Sequence, residues 1–197
     1  MLMPEKLLSL PPMKVGKDTK LADLIDLVSN IYTYDGYVPS SEVLSKVQVS
    51  DIINYLRVSH RYYVDVALTS LESTLHSVLE PCEERIRKVI FSFYATYRDE
   101  MLTHFRYEEE KVFPYAEALL EGQHPEVVQV GEEDHTDIVE KIDDLKNIVM
   151  KYLPPECDPV ESVALLKQLL YLSDDLRKHT AIEDHILVPM IRRMERG

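Results

Sequence analysis

The chain of 197 residues repeats one pattern at a fixed interval of 75 residues. In each half, a histidine is followed 44 residues later by the pattern HxxxExxxxxP. An internal period of this length indicates two copies of one supersecondary unit. We therefore expect two matched helical hairpins related by a pseudo-twofold axis. The paired positions are His60 and His135, Cys82 and Cys157, His104 and His179, Glu108 and Glu183, and Pro114 and Pro189.

Helix signals divide the repeated region into four long helices with short connections. Only 5 residues are glycine, and apolar residues in the first helix recur every three or four positions. Capping residues, prolines and Gly122 set the expected ends. The sequence predicts an all-α, up-down-up-down four-helix bundle. Its helices are A (50–80), B (81–122), C (126–153) and D (158–197).

Three regions are expected along the chain. Residues 1–15 carry three prolines and are predicted to be a mobile tail. Residues 16–49 form a small N-terminal helical segment with one short amphipathic helix. Residues 50–197 form the bundle.

Charge and cysteine content exclude several classes of function. The chain carries 35 acidic and 22 basic residues, a formal charge of −13, which repels nucleic acid and anionic membrane surfaces. A secretory signal is not expected, because residues 1–13 have no basic stretch followed by a long apolar core. No apolar run approaches the ~20 residues of a membrane span. Two cysteines cannot build a disulfide scaffold, which favours the cytoplasm. Because B and D are diagonal helices, we expect Cys82 and Cys157 to lie beyond the ~7 Å Cα limit for a disulfide.

The spacing of the histidines brings them to one level of the bundle. His60 precedes the A–B turn by 20 residues, about 30 Å of helix, and His104 follows Cys82 by 22 residues, about 33 Å. The same count applies to His135 and His179. Glu108 and Glu183 lie one turn beyond the histidines of their own helices.

This set of side chains suits a pair of metal ions. Imidazole and carboxylate are ligands that divalent iron and manganese prefer, and a bundle core is a known scaffold for a di-iron site. Two histidines per metal, two shared carboxylates and a bridging solvent oxygen would leave one position open. Core histidines and solvated glutamates are the alternative, but two unpaired glutamates at core level would cost several kcal/mol each. The predicted metal ligands are His60, His104, Glu108, His135, His179 and Glu183.

Other polar residues have weaker claims to the site. His76, His124 and His185 are predicted to point away from it. Glu100 and Asp175, four residues before their histidines, either accept a ring N–H or belong to an ion-paired helix face.

The remaining candidates are aromatic or lie in acidic runs. Tyr63 either hydrogen-bonds at the site or is a core tyrosine. The acidic runs at 108–110 and 132–134 are predicted to be solvated surface, apart from Glu108 and Asp134.

These motifs resemble the hemerythrin-like (HHE cation-binding) family, and within it the iron–sulfur cluster repair di-iron proteins. The resemblance covers Ser50 to Arg196 and includes both copies of the HxxxE element. It implies two iron ions in a non-haem, oxo- or hydroxo-bridged centre. By this resemblance the four histidines are terminal ligands, and Glu108 and Glu183 bridge the irons.

Two departures from the family pattern bear on function. Oxygen-carrying hemerythrins place a further histidine where this chain has Val139, so the chain agrees with the repair type. Repair proteins usually have an N-terminal domain with a cysteine pair. Residues 16–49 begin in a similar way but contain no cysteine, so that thiol chemistry is absent from this segment.

Three hypotheses for function remain open, with or without enzymatic activity. The first is a nitrosative or oxidative stress protein that repairs, or supplies iron to, damaged iron–sulfur proteins. The second is an O2- or NO-binding module that senses a gas and acts through a partner protein. The third is a metal-free helical adaptor. Residues 16–49 pack either as a cap over the metal end or on the side of the bundle.

Overall fold

A computed structural model describes residues 20–131, 135–153 and 157–196, without the side chains of 20–21 and 135–137. The predicted tail, residues 1–15, lies outside the described residues. Within the described residues the secondary structure is helical and contains no strand. The predicted all-α bundle is therefore confirmed.

The four bundle helices are preceded by two short ones, α1 (Lys20–Thr33) and α2 (Ser41–Leu44). Three of the four are interrupted by a π-helical turn. Helix A consists of α3 (Val49–Tyr62), the turn Tyr63–Ala67 and α4 (Leu68–Leu79); helix B of α5 (Glu84–Tyr107), the turn Glu108–Val112 and α6 (Phe113–Leu120); helix C of α7 (His135–Tyr152); and helix D of α8 (Pro159–Ile182), the turn Glu183–Leu187 and α9 (Val188–Met194). Among the bundle helices, α4 packs on α8, α5 on α7, and α7 on α8.

The sequence repeat extends to the helix boundaries. Helices α5 and α8 each contain 24 residues. The π-helical turns that follow them begin at Glu108 and Glu183. Pro114 and Pro189 stand in the first turn of the next helix. A proline lacks the N–H that continues a regular α-helix, and π-helical turns are one form that such an interruption takes.

Two apolar clusters form the core. One includes Leu75, Tyr97 and Leu165 and contains both cysteines. The other includes Ile52, Phe113 and Ile186 from helices A, B and D.

The N-terminal helix α1 packs on the second cluster. Leu24, Leu27 and Ile31 are buried there, and each such side chain stabilises the fold by roughly 1.5–3 kcal/mol. At the C-terminal end of α1, the Tyr32 hydroxyl donates to Asp175 on α8 at 2.7 Å. These contacts hold α1 against α8 and against the second apolar cluster.

Helix C begins later than the sequence indicates. The expected start was near Glu126, but the stretch 123–130 is non-helical and α7 begins at His135. The Tyr107 hydroxyl donates to the Gln129 carbonyl at 3.1 Å. Gly131 has a φ of +74°, and a Cβ there would meet Val188 at 3.1 Å. A close tertiary approach therefore holds this segment out of the helix.

The two cysteines meet at one end of the bundle, although the diagonal placement of helices B and D suggested a wide separation. The sulfur atoms of Cys82 and Cys157 lie 3.6 Å apart, and both side chains are buried. Neither residue belongs to the helix that follows it. The cysteines lie in the turns before α5 and α8, and both belong to the core cluster at that end. Residues related by a twofold axis along the bundle meet when both point toward that axis.

No helix in the described parts of the chain combines the length and apolar character that crossing a membrane requires.

Candidate metal centre

Helix ends and π-helical turns carry the predicted ligands that the structure describes. His60 lies in the last turn of α3, His104 in the last turn of α5 and His179 in the last turn of α8. Glu108 and Glu183 are the first residues of the next π-helical turns. Such turns recur at functional sites in other proteins because they redirect side chains that a regular helix would space evenly.

Four of the predicted residues converge on one buried point. One potential ligand atom from each of His60, Glu108, His179 and Glu183 lies within 4.8 Å of all the others. The four residues are only 2–5% exposed. They come from helices A, B and D, so both halves of the repeat contribute.

The fifth predicted residue, His104, joins this group through Glu108. The two oxygens of the Glu108 carboxylate face different histidines: Oε2 is 3.2 Å from His60 Nε2, and Oε1 is 3.4 Å from His104 Nε2. In the second half of the repeat, Glu183 Oε1 lies 3.0 Å from His179 Nε2. The sixth residue, His135, begins α7, but its side chain lies outside the described residues.

The electrostatics of the site favour a bound cation. Burial and the nearby Glu183 carboxylate raise the pKa of Glu108. Burial lowers the pKa of His60, but hydrogen bonds to Glu108 and Glu109 outweigh it and raise the value to about 9. Two buried carboxylates that repel each other need protons or a metal ion as neutralising charge. The donor set therefore fits divalent metal.

The structure adds Glu109, which was predicted to be solvated surface. Its Oε1 lies 3.0 Å from Nδ1 of His60, on the ring edge opposite Glu108. Arg57 donates to Glu109 at 3.2 Å and to Glu117 at 2.6 Å. Burial raises the pKa of Glu109, but His60 and Arg57 outweigh that effect and lower it. The position of Glu109 beside Glu108 in the sequence did not indicate this contact. The contact depends on how helix A docks against helix B.

Aromatic rings enclose the histidines. Phe105 stacks on His60 with centroids 4.2 Å apart, and Phe113 lies 5.6 Å from the same ring. Tyr63 meets His179 edge-on at 5.3 Å, and its hydroxyl donates to the Asp175 carbonyl at 3.3 Å. Tyr63 is thus a core tyrosine that also contacts the site.

The other polar candidates have partners elsewhere. Glu100 pairs with Lys141 at 2.7 Å, and Asp175 accepts from Tyr32. Both observations agree with an ion-paired or hydrogen-bonded helix face. His76 is exposed and packs on Phe91 at 4.3 Å. His124 is exposed and His185 half-buried, and neither belongs to the buried cluster. Asp134 lies outside the described residues.

A family comparison accounts for the arrangement. The model of the hemerythrin HHE cation-binding domain matches residues 51–191, most of the chain. The chain belongs to the hemerythrin HHE family. The match spans all four helices of this hemerythrin-like bundle and both copies of the repeat.

Curated relatives are similar at low identity. The iron-sulfur cluster repair protein ScdA of Staphylococcus haemolyticus is 28% identical over 98 residues, which cover 48% of this chain and 44% of the relative. The iron-sulfur cluster repair proteins YtfE of Salmonella paratyphi B and Salmonella newport are each 21% identical over 145 residues, covering 73% of this chain and 66% of the relative. The chain thus spans less than two thirds of the length of these relatives. No solved structure matches.

Proposed function

We propose that this hemerythrin-like protein is a non-haem di-iron protein that repairs, or supplies iron to, damaged iron–sulfur proteins under nitrosative or oxidative stress. The observation that carries the proposal is the meeting of two histidines and two glutamates, His60, Glu108, His179 and Glu183, at one buried point. The names of the curated relatives support the repair function.

In this proposal six residues hold two irons. His60 and His179, whose ring centroids lie 5.1 Å apart, would bind one iron, His104 and His135 would bind the other, and Glu108 and Glu183 would bridge them. The contacts of both Glu108 oxygens with histidines support its bridging role. When bound, the irons supply redox-active centres, bridged by an oxo or hydroxo group, with a position for a diatomic gas such as NO or O2.

The surrounding residues orient the ligands and exclude water. Glu109 accepts the Nδ1 proton of His60, which directs Nε2 toward Glu108. Phe105 and Phe113 cover the His60 ring and keep the carboxylates in a medium of low polarity, where their charge favours a cation.

Metal content tests the centre. Purified protein reconstituted anaerobically with ferrous iron should hold two irons per chain, and air should produce a near-ultraviolet oxo-bridge band. His60→Ala and His179→Ala should each lose iron and weaken the band. His76→Ala is the matched control, because this histidine is exposed and packs on Phe91. One iron or none in the parent protein would contradict the di-iron proposal.

Iron transfer tests the repair function separately. With inorganic sulfide and a thiol reductant supplied equally to both samples, the iron-loaded protein should restore the cluster of a protein stripped of it by nitric oxide faster than an equal amount of free ferrous iron does. A protein that keeps its iron in this assay, but binds NO reversibly, would favour a gas-binding module that acts through a partner.

A further inference from the structure

Cys82 and Cys157 form a buried dithiol in the described part of the chain. Their sulfur atoms are 3.6 Å apart, and the residues are 5% and 6% exposed. Neither is in a disulfide. The residues lie 75 positions apart, so they are equivalent in the two halves of the repeat.

The dithiol is remote from the candidate metal centre. Cys82 precedes α5, and the metal-site residue Glu108 follows its last residue, Tyr107. The 24 residues of α5 therefore separate them by about 36 Å of helix. The same count separates Cys157 from Glu183 along α8. Chemistry at the thiols is thus distinct from chemistry at the histidines.

The geometry points to a modification site: we propose that a hydroperoxide, such as hydrogen peroxide, oxidises Cys82 and Cys157 to an intrachain disulfide. The thiolate of one cysteine attacks a peroxide oxygen. A sulfur–oxygen bond forms, the oxygen–oxygen bond breaks, and the departing oxygen leaves as water after protonation. The second cysteine, as thiolate, then attacks the sulfenic sulfur, and a disulfide forms as the sulfenic oxygen leaves as water. Two thiols lose two electrons, and one peroxide gains them.

The packing favours this product over others. The second sulfur already contacts the first, so it is poised to react with a sulfenic acid before a thiol of another molecule arrives. Burial of both side chains excludes bulky thiols, whereas hydrogen peroxide is nearly as small as water. The bond would join the A–B turn to the C–D turn and close a loop across half the bundle. Such a cross-link stabilises mainly by restricting the unfolded chain.

Mass spectrometry tests the proposal on the full-length, metal-loaded protein. One equivalent of hydrogen peroxide should lower the mass by two hydrogens, and a non-reducing digest should contain the linked Cys82 and Cys157 peptides. Dithiothreitol should reverse both changes. The midpoint of thermal unfolding should rise on the order of 10 °C in the oxidised form and fall back on reduction.

Serine variants supply the controls. Cys82→Ser and Cys157→Ser should each retain their iron, show no reversible rise in the midpoint, and accumulate a sulfenic acid that dimedone traps once the treated protein is unfolded. The variants also control for oxidation catalysed by the bound iron, because that side reaction should occur equally in the parent protein and in both variants. The proposal is overturned if the parent protein keeps two thiols after peroxide treatment, or if its cysteines form only bonds between chains.

Discussion

Nδ1 of His60 lies 3.0 Å from Oε1 of Glu109, and the two residues come from different bundle helices. The opposite ring nitrogen, Nε2, faces Glu108 at 3.2 Å. One imidazole thus has a carboxylate on each edge. The outer carboxylate is anchored in turn by Arg57, which fixes the orientation of the ring from outside the buried cluster.

This relationship predicts a role for Glu109 in metal affinity. Glu109→Gln should weaken iron binding about 10–100-fold, because a carboxylate that accepts a ligand's N–H raises its basicity and holds its orientation. Titration with ferrous iron in competition with a chelator measures the effect. Glu110→Gln, an exposed position in the same acidic run, is the control and should bind as the parent does. Equal affinity for the two variants would show that the Glu109 contact is incidental.

Removal of either central carboxylate should cost metal. Glu108→Ala or Glu183→Ala should lose most of the second iron and destabilise the bundle, because a bridge and its compensating charge disappear. Iron analysis and thermal unfolding of the loaded proteins measure both effects. If a variant keeps two irons and an unchanged spectrum, that carboxylate does not bridge.

Metal binding and apo-protein stability should respond to pH in opposite directions. Without metal, the raised pKa of His60, about 9, contributes stability that is fully present below its unfolded value of 6.5 and is lost as pH rises through 9. The raised pKa of Glu108 acts in the same sense. Metal ligands must be deprotonated, so iron affinity should fall as pH decreases.

Denaturant titrations of the apo protein and iron competition assays across this range measure the two trends. Above pH 6.5, the free energy of unfolding of the apo His60→Ala variant should fall less steeply with pH than that of the parent protein, because the contribution of His60 is missing. Apo stability that rises between pH 7 and 9 would contradict the prediction.

The contact between α1 and α8 should contribute to stability. Lys178 is 8% exposed, and its ammonium donates to Asp35, just beyond α1, at 2.5 Å. Asp35→Asn should lower the midpoint of thermal unfolding by a few degrees, because it leaves a nearly buried cation without its anionic partner. Asp26→Asn, an exposed position within α1, is the control. The double variant Asp35→Asn, Lys178→Met should recover most of the lost midpoint. A further fall in the midpoint would show that the unpaired Lys178 charge is not the cause of the loss.

Much of the fold follows from the spacing of repeated residues and from the prolines that mark helix ends. The repeat of 75 residues and the prolines predicted two matched hairpins, and α5 and α8 have the same length and the same register. Counting helix rise from the turns predicted that His60, His104 and His179 share a level. These inferences succeed because helix geometry is local and nearly uniform, so residue counts convert directly to distance.

The failures arise where contacts are non-local. The start of helix C was wrong because residues 123–130 pack along the bundle, and Gly131 approaches Val188 too closely for a side chain. The contact between the Cys82 and Cys157 sulfurs was not predicted, because helix positions do not show that both turns bury their thiols in the core. The contact of Glu109 with His60 was not predicted, because the sequence of an acidic run does not show which helix packs against it.

By itself, the sequence determined the helical hairpins, their repetition and the kinds of side chain carried at each level, since periodicity, proline chemistry and helix rise depend on neighbours along the chain. Only the tertiary structure decided which side chains meet. It brought Glu109 to His60, Cys82 to Cys157 and α1 to α8. Each of these contacts depends on how far helices rotate and turns fold inward when apolar faces pack, and that arrangement is set jointly by residues distant in the chain.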